Sequence, residues 1–259
     1  NSHKMKANKF LLKLFTVATL TIVGCAADDT ADVIINLGGS GGTDPSGTVI
    51  GGTLTADLTL TTGTEYSLTS ALIVPENITL TIEPGVVVKA TAGSDVYVAV
   101  QQGGVIMAEG TSSNPIVFTS DASSPKAGDW GGLVLAGKAP SNKGLDVQSE
   151  VAGLLYGGTE TNDNSGELSY VIAEYTGAKI NGEQEFNGIS FFGIGNQTVV
   201  NNIVVSNGND DGIEFFGGTV NVTNVYCANI ADDMFDWTGG YTGTITNAFG
   251  VRNQGFDAA

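Results

Sequence analysis

A seven-residue pattern returns twice near the C-terminal end of this chain, and that repetition constrains the fold more than any other feature. Asn187-Gly188-Ile189-Ser190-Phe191-Phe192-Gly193 reappears as Asp211-Gly212-Ile213-Glu214-Phe215-Phe216-Gly217, a step of 24 residues, and again as Asp233-Met234-Phe235-Asp236-Trp237-Thr238-Gly239, a step of 22. A second apolar run follows each copy: NIVV at 202–205, NVYC at 224–227 and NAFG at 247–250. A unit this short cannot bury its own apolar face, so it must stack on its neighbours. Several short strands per unit, with the same residues returning in register, are what a parallel β-helix requires. An antiparallel sandwich has similar strand spacing but no reason to repeat residues in register.

From Thr48 onward, runs of Val, Ile, Thr and Phe alternate with Gly/Asn/Asp turns, and no stretch carries the 3.6-residue spacing of an amphipathic helix. The 37 glycines fit frequent tight turns. The expected fold is all-β, a β-helix (solenoid) with rungs of about 22–24 residues. Residues 138–168 break that spacing, and TETNDNSG at 159–166 reads as a loop projecting from the rod.

Ahead of this domain the chain reads as a targeting segment. Met5 is the expected start, Lys6, Lys9 and Lys13 form a positive region, and the apolar run that follows is too short to span a bilayer. Ile22-Val23-Gly24-Cys25 reads as the lipobox of a bacterial lipoprotein, so residues 1–24 are expected to be removed, with residues 1–4 preceding the true start. Cys25 then carries the lipid, and two or three acyl chains anchor far more firmly than one. Ala26-Ala27-Asp28-Asp29 looks like the acidic export signal of surface lipoproteins, which predicts the outer membrane with the domain facing the exterior. Residues 36–47 (NLGGSGGTDPSG) complete a tether spanning 25–47. The folded domain is expected over 48–259, and because Ala259 follows a rung with no cap, a longer native chain is expected.

Charge excludes several partners and chemistries. From Cys25 onward there are 6 basic and 27 acidic residues, a net charge of −21. Such a surface repels nucleic acid, and it repels anionic polysaccharide unless divalent cations intervene. The single histidine, His3, precedes the expected start, which removes Ser-His-Asp and Cys-His catalysis and His-ligated zinc. Cys227 is the one thiol left after lipidation, so no internal disulfide forms, and its Val-rich setting predicts a small buried hydrophobe.

Alternation along the repeated strand points Ile213, Phe215, Phe235 and Trp237 inward and Glu214 and Asp236 outward. Rungs lie about 4.8 Å apart, so Glu214 and Asp236 should stack, with Ser190 one rung before and Asp210-Asp211 and Asp232-Asp233 at the preceding turns. These six carboxylates have no Lys or Arg within either repeat. Three explanations remain open. Calcium would relieve the repulsion by recruiting six to eight oxygens. A hydrated acidic face would use the Asp and Asn residues to cap turns. A carboxylate enzyme would draw on Glu214, Asp236, Asp211 and Asp233 at a separation of about 5–9.5 Å.

The chain also resembles the right-handed parallel β-helix lipoproteins and secreted proteins of Bacteroidota and related marine bacteria. The resemblance rests on LTIEPG at 80–85, EGT at 109–111 with PIVFTS at 115–120, GDWGG at 128–132, YGG at 156–158 with DNSG at 163–166, and DDGIEFFGG at 210–218. It implies a right-handed helix and an envelope location but no settled activity. Many β-helix proteins are pectinases or polysaccharide lyases; the polygalacturonase pattern needs a histidine that this chain lacks, and a lyase base would have to be a Lys or Arg outside the acidic repeats. Trp130, Tyr156 and Tyr175 are candidate platforms for sugar rings, although the glycines around Trp130 equally suit a buried structural role. The resulting expectation is a lipid-anchored, non-enzymatic binding or adhesion module. It would bind calcium at the acidic ladder and contact a glycan or a surface protein. The alternatives are a calcium-assisted polysaccharide-degrading enzyme and a purely structural envelope component.

Overall fold

The computed structural model describes residues 48–182 and 184–253. The leader, Cys25, the 25–47 tether and residues 254–259 lie outside the described residues. Eighteen strands and no helix occur among the described residues, from β1 (Thr48–Thr53) to β18 (Ile245–Val251). Sixteen strands form one sheet, every ladder of it parallel.

The chain coils through three walls in turn. Wall 1 stacks the first parts of β1 and β3 (Glu65–Val74), then β5 (Val87–Ala90) and β8 (Ile116–Ser120). Wall 2 stacks the ends of β1 and β3 with β6 (Val98–Val100), β9 (Leu133–Ala136), β13 (Ile189–Phe192), β15 (Ile213–Phe216) and β17 (Phe235–Thr238). Wall 3 stacks β2 (Leu58–Leu60), β4 (Thr79–Ile82) and β7 (Val105–Glu109). Four longer strands, β12 (Gly166–Glu174), β14 (Val199–Gly208), β16 (Asn221–Ile230) and β18, pass through wall 3 and then wall 1. The fold is therefore a parallel β-helix.

Each strand turns alternate side chains inward. Leu68, Val88, Phe118, Leu133, Ile189, Phe191, Ile213 and Phe215 fill the bore, all essentially sealed from solvent. Phe191 and Phe215 stack at 5.4 Å, so like residues meet across rungs as the repeat implies. Cys227 is among them, and burial pushes its thiol up to about 12, as befits a small hydrophobe. Trp237 faces the same direction as Phe215, with which it pairs, but it is 61% exposed because no described strand covers β17. The inward placement expected of Trp237 thus holds for its register and not for its burial.

Walls 3 and 1 meet at a corner where the chain must adopt a left-handed conformation. Asparagine tolerates that conformation better than other non-glycine residues. Asn202, Asn224 and Asn247 occupy it at φ 53, 58 and 55°. Their amides also donate rung to rung, Asn224 Nδ2 to Asn202 Oδ1 at 3.3 Å and Asn247 Nδ2 to Asn224 Oδ1 at 2.9 Å.

Those bonds span 22 and 23 residues, but Asn201 to Ser169 spans 32 and Thr119 to Glu174 spans 55. The 22–24 residue rung therefore describes the C-terminal turns and the N-terminal one, where Leu58 pairs with Leu80 and Glu65 with Val87, and the middle turns carry insertions at their corners. The repeated glycines keep rungs close: a Cβ on Gly188 would lie 2.3 Å from Val205 Cγ1 and 2.4 Å from the Gly212 carbonyl oxygen. Gly188→Ala should lower unfolding stability by about 1–3 kcal/mol, as overpacking does. Gly182→Ala, where nothing lies within 4 Å, should leave it unchanged; urea denaturation of both variants measures the contrast.

Candidate functional site

The longest insertion, residues 137–165, decides what the outer face of wall 2 can do. It leaves β9, travels along the rod, and crosses successive rungs through main-chain bonds. Ala139 N–H donates to Gly193 O (2.8 Å), Gly218 N–H to Pro140 O (2.8 Å) and Asn142 N–H to Gly239 O (2.8 Å). Gly193, Gly217 and Gly239 end β13, β15 and β17 at φ 59, 69 and 63°, and a Cβ on Gly217 would strike Ser141 at 2.8 Å. The glycine closing each copy of the repeat is thus needed both for the turn and for the strap that passes over it.

The insertion then folds back as an antiparallel hairpin, β10 (Val147–Gln148) and β11 (Leu155–Tyr156), over the outside of wall 2. Val151, Leu154 and Tyr156 pack with Ala99, Val134, Ala136, Phe192 and Phe216 into a second apolar cluster outside the bore. Phe192 and Phe216 stack at 4.0 Å, and Tyr156 tilts onto Phe192 at 5.1 Å. Gln102 Nε2 donates to Gly137 O and Gly157 O, both at 3.1 Å, closing the base of the insertion. Asp163 and Ser165 are buried. The 159–166 segment therefore does not project as its polarity suggested; its later part is built into the body.

Between hairpin and wall lies a cleft of about 420 Å³, with Lys143, Val147, Gln148, Glu150 and Tyr156 on the hairpin side and Phe192, Glu214, Phe216, Asp236 and Thr238 on the wall. Glu214 pairs in register with Asp236 and, on the other side, with Ser190. Oxygens of Asp211, Glu214 and Asp236 all lie within 4.8 Å of one another, and those of Asp210, Asp211 and Asp232 form a second such group. Asp233 does not join either: it is exposed, and its contribution is the backbone N–H it donates to Asp211 Oδ1 at 2.9 Å.

Crowding and burial hold protons on these groups. Burial, aided by Glu150 and Asp211, raises Glu214 to about 9, against a 2.7 Å hydrogen bond from Asn187 Nδ2 that favours the charged form. Burial likewise raises Asp211 to about 7, and burial with Glu185 and Asp232 raises Asp210 to about 6. None of these carboxylates makes an ion pair among the described residues; the three that occur are Lys89–Glu65, Lys138–Glu76 and Lys179–Glu185.

Cations nevertheless arrive from outside the repeats. Lys143 lines the cleft, Lys179 opposes Asp210, and the Arg252 guanidinium donates to the Asp232 carbonyl. Lys143 and Glu150 carried no sequence signal, since only the fold-back of the insertion brings them to the ladder. Asn187 was legible as the ladder's first rung but was not weighed. It is 2% exposed, and its Oδ1 is buried with no hydrogen-bond donor.

The aromatic candidates divide. Trp130 is fully buried, stacks on Phe118 at 6.3 Å and donates Nε1–H to Glu174 O at 2.8 Å, so it offers no face to a sugar. Tyr175 is a corner residue at φ 62°, away from the cleft-lining set. Tyr156 lines the cleft but is 4% exposed, a wall residue and not an open platform.

A parallel β-helix bearing a lateral acidic cleft is the class that this geometry defines. A family model described as a pectate-lyase like beta helix domain matches residues 52–259, and the chain belongs to that family. Comparison with the curated proteins and with the solved structures finds no match.

A carboxyl with a raised folded pKa keeps its proton after the unfolded chain has released it, so stability is greatest on the acid side and falls as pH rises. In metal-free buffer the melting temperature should fall from about pH 4, where the unfolded carboxyls release their protons, towards pH 9, the range set by Asp210, Asp211 and Glu214. Glu214→Gln should make that fall shallower across the whole range and remove the part above about pH 7. Thermal melts across pH test both statements.

Proposed function

We propose that this protein is a cell-surface binding module, lipid-anchored through Cys25 to the outer membrane, whose wall-2 cleft holds calcium and, through it, a glycan. The observation carrying this reading is the cluster of Asp211, Glu214 and Asp236, three carboxylates within 4.8 Å with no ion-pair partner among the described residues. The donors fit a hard cation: calcium takes six to eight oxygens in flexible geometry, and carboxylates with a buried amide carbonyl supply that type. Asp211, Glu214 and Asp236 would hold the ion, with Asp210 and Asp232 beside them. The ion would supply positive charge to a surface otherwise repelling acidic sugars. Phe192 and Phe216 form the apolar floor, and the polar rim suits sugar hydroxyls.

A glycosidase fits less well. Retaining pairs stand about 5–5.5 Å apart and inverting pairs about 6.5–9.5 Å. Asp211, Glu214 and Asp236 gather on one side of the cleft, which suits a shared ion better than a sugar flanked by two carboxyls.

Lys143 supports a second reading, a polysaccharide lyase, because it places a potential base in the acidic cleft of a pectate-lyase-like helix. Cleavage of an anionic polysaccharide that Lys143→Ala abolishes, with the melting temperature unchanged, would establish it.

Calcium titration of the full chain by calorimetry should show saturable heat, with a melting temperature that drops under chelator. Asp236→Asn should weaken binding at least tenfold. Absence of both heat and shift would sink the calcium reading and leave a solvated acidic face on a structural rod.

A further inference from the structure

The outward ladder of wall 2 that ends in acids does not begin with them. In register it runs Thr53, Ile73, Ala99, Val134, Ser190, Glu214, Asp236. Its middle lies under the hairpin, where Ala99 and Val134 are sealed within the outer apolar cluster. Towards the N-terminal rungs the wall opens again into a groove of about 550 Å³, lined among others by Thr53, Ser70, Ile73, Asp95, Tyr97 and Ile180.

The floor of this groove is fixed by packing. Tyr97 lies 5.0 Å from Phe186, which is buried and backs it, and Ile73 and Tyr97 both pack against the outer cluster. Gly131 makes room for the pair, since a Cβ there would lie 2.8 Å from Tyr97 Cβ and 3.2 Å from Phe186 Cγ. The polar groups stand at the rim: Ser94 and Asp95 are exposed and Ser70 is half-buried. Burial, aided by the Asp95 charge, holds the Tyr97 phenol above its usual range, so carboxylate and phenol share one side of the groove. Asp95 makes none of the ion pairs among the described residues.

That lining selects a class of ligand. A concave surface with an aromatic floor and a few hydroxyl and carboxylate groups suits a molecule with an apolar side and many hydroxyls. No Lys or Arg lines the groove, so an anionic sugar would meet Asp95 with no counter-charge. An extended peptide would want main-chain partners, but β3 and β6 already have ladder neighbours on both sides. A sugar asks for none. We infer that this groove is a second binding site, for a neutral glycan, in which Tyr97 carries the apolar side of a sugar ring and Asp95, Ser70 and Ser94 take its hydroxyls. The site shares a wall with the acidic cleft but none of its carboxylates, and it needs no cation.

The experiment is affinity electrophoresis of the full chain in chelator, through gels holding xyloglucan, galactomannan or mixed-linkage β-glucan, with polygalacturonate as the anionic control. At least one neutral polysaccharide should retard the wild type. Tyr97→Ala should weaken that retardation at least tenfold, and so should Asp95→Ala, a change at an exposed side chain whose melting temperature should match the wild type. Asp236→Asn should leave it unchanged. Retardation by polygalacturonate alone, by no polysaccharide, or surviving both groove substitutions would overturn the inference. None of these outcomes bears on calcium binding by the cleft, which calorimetry reads separately.

Discussion

Parallel stacking in register is the constraint on which everything else here depends. Each strand satisfies its backbone only by pairing with the rungs above and below, and that pairing sets side chains at equivalent positions about 4.8 Å apart. A residue type that suits its own company is therefore rewarded and one that does not is penalised. Asparagines at the corner bond to asparagines, and phenylalanines stack on phenylalanines. The same register sets Glu214 on Asp236, where the contact is repulsive. A chain that keeps acids at stacked positions is holding an electrostatic cost that its other ladders avoid.

The 137–165 insertion turns that face into a cleft. On an open face the carboxylates would be screened by water, and surface charges at such distances interact weakly. The strap across Gly193, Gly218 and Gly239 and the hairpin above Phe192 and Phe216 remove much of that water. Burial is accordingly the largest influence on Glu214, which lines the cleft beneath the hairpin. The apolar cluster outside the bore does more than fasten a loop, because it sets the dielectric in which the acids sit.

How much of this was legible follows from where the contacts lie along the chain. The repeat exposed the fold and the stacked pairs, since the partners of Glu214 are one rung away and recur at fixed spacing. Asp233 stands apart from the cluster because a turn residue can serve through its backbone as well as its side chain, and the pattern DD does not say which. Residues 159–166 read as a projecting loop from their polarity, yet Asp163 is buried; burial of a turn depends on what the strap passes over. Lys143 and Glu150 meet the ladder through a fold-back between segments with no shared period, and no periodicity could reveal that. Trp130 shows the converse: its flanking glycines did signal close packing, and the indole N–H found its carbonyl.

Three agents can relieve the crowded wall, and their chemistry separates them. Protons remain on Glu214 at neutral pH but cannot relieve every member, because the groups titrate across a range from about 6 to about 9. Lys143 brings a single charge from an exposed strap position and makes none of the ion pairs among the described residues. A divalent cation brings two charges to one point and asks in return for several oxygens around it. The wall offers oxygens from three carboxylates, of which Asp211 already accepts from Asp233 N–H and Glu214 from Asn187 Nδ2. Of the three agents, only a cation would draw on several of these oxygens at once, which is the chemistry that the proposed calcium site rests on.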